Sequence, residues 1–578
     1  MLSSIVAYCD GASRALARRK TRGERSSATG EVGRLQSRAL ELTRRLVRCR
    51  SVSRSRGERD IALLLDRILD ETAQGGLEHG ISSIDGDELE RLFVWAFLPG
   101  TTARTLVLMS HFDTVATTDY GSLSEVATDP EALRQGIPSA GWELDPLTLD
   151  HLERPDEWLF GRGTVDMKGG IAAHLTALEE LCREAAQGRP TRASVLFIAV
   201  PDEEVQSAGM LAAVRFLSHL QQERGLEYVG AINTDYSTAL HPGDERRSVY
   251  LGTVGKLLPV LYVRGRETHA GEPFRGYDSN VLCSAVVTAL SLEPELADSE
   301  SGIVVAPPVT LKLSDFKARY DVQVPFESYT YLNFLTASAG PAQVLQALVE
   351  RTRVALQAAV ERVHAQHVRW AERAGEPRPA PPPATTVVTW RELHTRTAAR
   401  VGPEELRERL ELHDRELRLE GMDAQHRTVH LVRKLWDLSG LRGPAAVIGF
   451  APPYYPHVGV REDSELTQVV REIAAARGLA VRAIYPYISD ASYLSLSHAG
   501  DTRPLTENMP LWSAQEADGK YGLPLDAIAR LNVDVANIGV WGYGAHKREE
   551  RLHIPYSCGV LPEILLEVAS LIAGREHG

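Results

Sequence analysis

Gly161-Arg162-Gly163-Thr164-Val165-Asp166-Met167-Lys168-Gly169-Gly170 is the stretch on which the reading of this chain turns. Glycines on both sides let the backbone turn tightly and hold Asp166 at a loop tip just ahead of a helix. One aspartate in a glycine-rich turn is ordinary; its neighbours make it informative. Upstream, the apolar run Thr105-Leu106-Val107-Leu108-Met109 ends in Ser110-His111-Phe112-Asp113. Downstream, Val195-Leu196-Phe197-Ile198-Ala199-Val200 ends in Pro201-Asp202-Glu203-Glu204, and a fourth run closes at Ile232-Asn233-Thr234-Asp235. Buried-strand patterns thus deliver His, Asp and Glu to loops. These are ligand types for hard or borderline metal ions, at strand carboxyl ends, where an open α/β sheet places its active site.

At 578 residues the chain has room for two or more domains, each with its own core. Its 43% apolar and 24% charged content is that of a soluble globular protein. The net charge of −13 argues against a nucleic-acid partner, which requires a basic surface. Five cysteines, Cys9, Cys49, Cys182, Cys283 and Cys558, lie far apart with no CxxC pair. That scatter suggests free thiols in a reducing, cytoplasmic setting. No apolar run approaches a membrane span, and the short apolar patch from Leu2 to Cys9 lacks the flanks of a signal peptide. Residues 1–30 are expected to be a flexible tail.

Apolar residues at helical spacing predict amphipathic helices over 31–47 and from about Glu58 to Leu69. Strands at 92–97 and 105–109 lead to His111. The segment 117–157 is polar, with few strong elements. Helix 170–182, strand 195–200, helix 208–221 and strand 228–234 follow. This alternation predicts an α/β domain whose mostly parallel sheet is flanked by helices. After Ser248 the texture changes. Val249–Lys256 and Leu257–Val263 read as antiparallel strands, then a helix at 279–292, strands at 309–313 and 329–335, and a long helix at 342–370. This is an α+β layer inserted into the first domain. Five prolines in Glu376–Ala384 mark a connector. Helices at 403–420 and 423–438 and a strand at 445–450 complete the insertion. The α/β texture then resumes with helix 463–477, strands 480–485 and 533–540, and helix 562–573. The expected domains are 31–250 with 452–578 as the catalytic domain, and 251–451 as an inserted lid with an enlarged helical insertion at about 371–441.

Two metal ions held close together need one carboxylate that bridges them and about two further ligands each. Asp166 is the natural bridge; His111 with Asp235, and Glu204 with His546, complete the two sites. His498 and His553 are alternatives to His546. Zinc suits such mixed His/carboxylate sites, and a pair about 3.5–4 Å apart can activate one water. Asp113 can fix the tautomer of His111. Glu203, beside Glu204 but aimed elsewhere, suits a general base that takes a proton from the attacking water and returns it to a leaving amine. His174 and His364 read as core or surface residues.

Taken together, Ser110–Asp113, Gly161–Gly170, Asp202-Glu203-Glu204 and Gly544-Ala545-His546 resemble the signatures of the cocatalytic-zinc peptidase and deacylase family, which includes aminoacylase, carboxypeptidase G, succinyl-diaminopimelate desuccinylase and peptidase T. The resemblance covers nearly the whole chain after about residue 35. It implies the ligand set above with Glu203 as base, a cis peptide at Asp166–Met167, and a smaller domain that serves as lid and homodimerisation module. Thr268-His269-Ala270-Gly271-Glu272-Pro273 resembles the lid motif whose histidine stabilises the oxyanion, and Asn280 resembles the asparagine that follows it. Val200–Val205, Ala451–His457, Tyr485–Tyr493 and Arg551–Ser557 look closest to the RocB-type arginine-utilisation branch, which has an enlarged lid. One departure stands out. Where many members have Gly-Gly-Thr-Asp-Ala-Arg, this chain has Tyr487-Ile488-Ser489-Asp490-Ala491-Ser492. Asp490 is retained and the arginine is not, so a lid arginine such as Arg275 is the candidate for substrate-carboxylate recognition.

The expectation is a metal-dependent hydrolase that cleaves an amide or peptide bond of a small amino-acid derivative or short peptide in arginine or amino-acid catabolism. Its cofactors would be two divalent ions, zinc first and cobalt or manganese as alternatives, with no nucleic-acid or membrane partner. The rival expectation is a catalytically silent amino-acid-binding or partner-docking protein on the same fold.

Overall fold

Three apolar runs set the architecture. Arg104–His111 lies between Ser194–Val200 and Glu227–Asn233, all parallel. Ser194–Val200 is buried along its whole length and Arg104–His111 from Thr105 onward. Such continuous burial is the mark of strands covered on both faces by helices. Register pairs His111 with Val200 and Met109 with Asn233. The residues that follow each strand therefore leave the sheet at one edge.

These strands belong to an eight-stranded sheet in the computed structural model, which describes residues 24–241, 243–244, 246–496, 500–514 and 519–574. The strand order is Glu78–Ser83, Leu92–Leu98, Ser194–Val200, Arg104–His111, Glu227–Asn233, Val535–Asn537, Ser248–Tyr250, Ala480–Arg482. The centre is parallel, and the pairings at Glu78–Ser83, at Leu92–Leu98 and between Val535–Asn537 and Ser248–Tyr250 are antiparallel. A second, three-stranded sheet joins Trp158–Phe160 to Arg551–His553 and Gly542–Tyr543. It sets the glycine turn after Phe160 beside the loop that carries His546.

Helices Glu24–Arg48, Gly169–Ala186 and Leu561–Gly574 pack together on this domain. The helical stretch Pro555–Gly574, which Glu563 and Glu567 interrupt, is long and apolar enough, by length and composition, to cross a membrane. Its Leu561, Ile564, Leu565, Val568 and Ile572 are instead buried in the core. The expected tail at 1–30 is shortened by a helix that begins at Glu24; residues 1–23, with Cys9, lie outside the described residues, as does His498. Cys49, Cys182, Cys283 and Cys558 are unpaired.

The chain divides into two compact units, 1–251 with 461–482 and 533–578, and 252–460 with 483–532. The sequence reading placed 483–532 with the catalytic domain. Its backbone bonds explain the difference: Val254 N–H donates to Tyr485, Tyr485 N–H to Gly252, and Phe450 N–H to Asn508. The supposed antiparallel pair at 249–263 also separates. Ser248–Tyr250 joins the first unit's sheet, while Gly255–Arg264 is the central strand of the second.

The second unit has a five-stranded sheet in the order Val309–Asp315, Glu327–Thr336, Gly255–Arg264, Ala445–Tyr455, Thr386–Thr389. The helices Ser279–Leu290 and Pro341–Ala374 pack on it. The enlarged insertion does not stand apart. Trp390, Leu393, Leu406, Leu431, Leu435 and Trp436 share one core with Tyr262, Ala445 and Val447 of that sheet.

Candidate metal centre

Four loops of the first unit meet at the carboxyl edge of its central strands. His111 ends its strand and is buried. Asp166 sits in the turn that Gly163 opens at φ 81°, a left-handed conformation that glycine adopts without Cβ strain. The Asp166–Met167 peptide is cis. Glu203 and Glu204 lie at the corner after Ser194–Val200, Asp235 two residues beyond Glu227–Asn233, and His546 in the loop between Gly542–Tyr543 and Arg551–His553.

The two oxygens of Asp166 face two imidazoles. Oδ1 is 3.1 Å from His111 Nε2, and Oδ2 is 3.0 Å from His546 Nε2. His546 Nε2 is also 3.0 Å from Glu204 Oε1, and His111 Nε2 is 4.0 Å from Glu203 Oε2. Ligand atoms of His111, Glu203 and Asp235 lie within 4.8 Å of one another, as do those of Asp166, Glu204 and His546. Among the described residues, Asp166 is the carboxylate that lies between the two imidazoles.

The electrostatics fit cations. Asp113, Asp166, Glu203, Glu204 and Asp235 gather against two imidazoles. Burial, then repulsion from Asp166, pushes the Asp235 carboxyl up to about 7 and raises Glu204 in the same way. Burial disfavours a charged His111, yet Glu203, Asp113 and Asp166 outweigh it and raise the imidazole well above its usual value. His546 is raised to about 11, first by its bond to Asp166 and then by Glu204. This surplus of buried negative charge, on a donor set of carboxylates and imidazoles, is what two divalent ions would neutralise.

Asp113 is wholly buried, 3.4 Å from His111 Nδ1. Its Oδ1 accepts the Glu203 N–H at 3.1 Å and its Oδ2 the Glu204 N–H at 3.2 Å and the Ser53 hydroxyl at 2.7 Å. It thus orients one imidazole and the whole acidic corner. Behind it, Arg91 pairs with Asp202 and Asp87 at 2.6 Å each, 3.6 Å from buried Glu58. Burial, then repulsion from Asp113, moves the Glu58 carboxyl up to about 7. Sequence reasoning missed Arg91 and Glu58 and gave Asp202 no role of its own, because nothing local marks a surface-type residue as buried.

It missed Glu550 too, although this residue follows His546 by four positions. Glu550 is fully buried and accepts N–H groups from Val165 and Asp166. His174 is core, as read: it lies beside the Ser110 hydroxyl at 2.9 Å, and burial lowers it to about 3. His553 lies tilted against Trp158, with ring centroids 4.9 Å apart, and takes no part in the cluster.

The remaining candidates belong to the second unit. His269 is exposed, and its Nδ1 accepts the Gly271 N–H at 3.0 Å. Arg275 is exposed, 3.6 Å from Glu272. The Asn280 amide donates to Asp315 at 2.8 Å and accepts from Ser328 at 2.6 Å, both inside that unit. Asp490 is buried where the short helix Asp490–Leu494 begins.

Residues 107–502, more than half of the chain, match the model of peptidase family M20/M25/M40. The chain is 31% identical over 497 residues to protein RocB of Bacillus subtilis, covering 84% of this chain and 85% of that protein. It is also 31% identical over 541 residues to YqjN, an uncharacterized protein of the same organism, covering 91% and 94%. The fold is that of a tripeptidase from Staphylococcus aureus, with a TM-score of 0.52 at 15% identity over 93% of this chain and 99% of that one. With two near-full-length relatives, the family match and this clustering of carboxylates and imidazoles at one sheet edge, the chain is a member of peptidase family M20/M25/M40.

Proposed function

We propose that this protein is a two-metal hydrolase, zinc first among the candidate ions, that cleaves the amide or peptide bond of a small amino-acid derivative. The observation that carries this reading is the Asp166 carboxylate set between His111 and His546, with Asp235 beside His111 and Glu204 beside His546 as the further ligands, and Glu203 next to them. Divalent ions bound there supply Lewis acidity toward a carbonyl oxygen and a water.

The chain's own residues do the rest. Asp113 holds the backbone of the acidic corner, from which Glu203 joins His111 and Asp235 while Glu204 joins Asp166 and His546. Glu203, 4.0 Å from His111, would take a proton from the attacking water and hand it to the departing nitrogen. Protonation makes that nitrogen a neutral amine, a far better leaving group than an amide anion. His269, in its lid-type motif, would steady the charge that develops on the carbonyl oxygen. An arginine-related peptide or N-acyl compound is the leading substrate class, supported by the resemblance to the RocB-type branch. The silent-protein alternative is not favoured, since the base and the ligand set stand together in one cluster.

The test is amine release by zinc-loaded protein over N-acyl amino acids and dipeptides bearing arginine, ornithine or glutamate. Glu203→Gln serves as the blank and should lose about 10²- to 10⁴-fold in turnover with metal retained. Release by the wild type that Glu203→Gln matches would sink the base assignment. A wild type that binds no metal would sink the two-metal reading.

A further inference from the structure

Glu550 is a buried carboxylate of the first unit that binds the backbone of the glycine turn. It is wholly buried, at the end of the loop that carries His546. Oε1 accepts the Val165 N–H at 3.0 Å and the Asp166 N–H at 3.3 Å, and Oε2 accepts from Arg162 Nη1 at 2.9 Å. The Glu550 carbonyl accepts the Gly161 N–H at 3.0 Å. Arg162 is itself buried and held at its other end by both oxygens of Asp119 at 2.9 Å. The turn from Gly161 to Asp166 is therefore moored at four points on one residue of a different loop.

This matters for Asp166, because its two oxygens must meet partners on both sides at once. One partner, His546, rides on the same loop as Glu550. A displacement of the glycine turn relative to that loop would change the Asp166–His546 distance directly, while Asp113 would still hold His111. Buried N–H groups left without an acceptor are costly, so the turn has one favoured seat.

We propose that Glu550 is a positioning residue for the metal centre: it fixes the glycine turn to the His546 loop, and so fixes the geometry with which Asp166 spans the two ligand groups. Its length, which lets one carboxylate oxygen reach two backbone N–H groups, is what matters. Its charge serves mainly to hold Arg162. The inference rests on the two-metal reading above.

The experiment measures zinc content and zinc affinity, by competition with a chromophoric chelator, for wild type, Glu550→Gln, Glu550→Asp and Glu550→Ala. Folding is monitored by thermal melting. Glutamine keeps the reach and the acceptor; aspartate keeps the charge but falls one methylene short. The expected order of affinity is wild type, then Glu550→Gln within a few-fold, then Glu550→Asp weaker by about 10- to 100-fold, the range for partners that orient metal ligands. Glu550→Ala should fall at or below the aspartate variant. Glu550→Asp binding as tightly as wild type, or more tightly than Glu550→Gln, would overturn the proposal. If the alanine variant does not fold, the Gln/Asp order decides alone. Wild type that binds no zinc overturns the two-metal reading itself, an outcome distinct from equal binding by all variants.

Discussion

The Asp113 carboxylate stands 3.4 Å from Nδ1 of His111, and its same two oxygens receive the N–H groups of Glu203 and Glu204. One buried side chain thus positions the His111 imidazole and the corner that carries Glu203, the proposed general base. Asp113→Ala should weaken metal binding by about 10- to 100-fold. It should also cost stability, about 1–3 kcal/mol for each buried donor left unpaired. Chelator competition and thermal melting measure the two effects. A variant that melts lower but binds metal normally would reduce Asp113 to a structural role.

Gly539 lies where the chain crosses beneath Asp235. A Cβ there would stand 1.6 Å from the Asp235 carbonyl oxygen. Gly539→Ala must therefore push the Asp235 backbone aside, an overpacking cost of about 1–3 kcal/mol or more. The expected result is a lower melting temperature together with weaker metal binding. Wild-type affinity in a folded Gly539→Ala protein would show that the Asp235 carboxylate is placed by something other than this contact.

His174 contributes a pH dependence with a definite sign. Burial pushes its folded value down from 6.5 to about 3. Between those values the unfolded chain binds the proton and the folded chain does not, so stability rises with pH across that window. Acidification from pH 7 to pH 5 should therefore destabilise the wild type through this residue by about 2 kcal/mol, at 1.36 kcal/mol per pH unit below 6.5. His174→Asn should lose less stability over the same interval in denaturant titrations. Parallel losses in both proteins would contradict the assignment.

His269 is exposed in the second unit. If it steadies the oxyanion, His269→Ala should lower turnover by about 10²- to 10³-fold, the range for removal of one such donor. Metal content and melting temperature should stay at wild-type values. Unchanged turnover would remove His269 from the mechanism.

Some elements were missed although their signals were present. Asp129-Pro130 and Asp145-Pro146 open two short helices inside 117–157, each with an aspartate capping N–H groups and proline at the first turn. Thr389 and Glu392 form a capping box that starts the unread helix Trp390–Val401. Both were overlooked because the polar texture around them hid short elements from a reading based on apolar periodicity.

What the sequence determined by itself was the parallel centre of the sheet and the residues at its carboxyl edge. Continuous apolar runs bounded by turns read as strands covered on both faces, and the glycine turn bearing Asp166 becomes informative once it is read with the His, Asp and Glu that end those runs. Tertiary structure alone decided which unit holds 483–532, which strand Gly255–Arg264 pairs with, and that Arg91, Glu58 and Glu550 are buried. Those outcomes depend on partners outside any local window, as when Glu550 meets Arg162 or Arg91 meets Asp202. A carboxylate reads as a surface residue in any local window, and only the donors brought to it by folding make its burial tolerable.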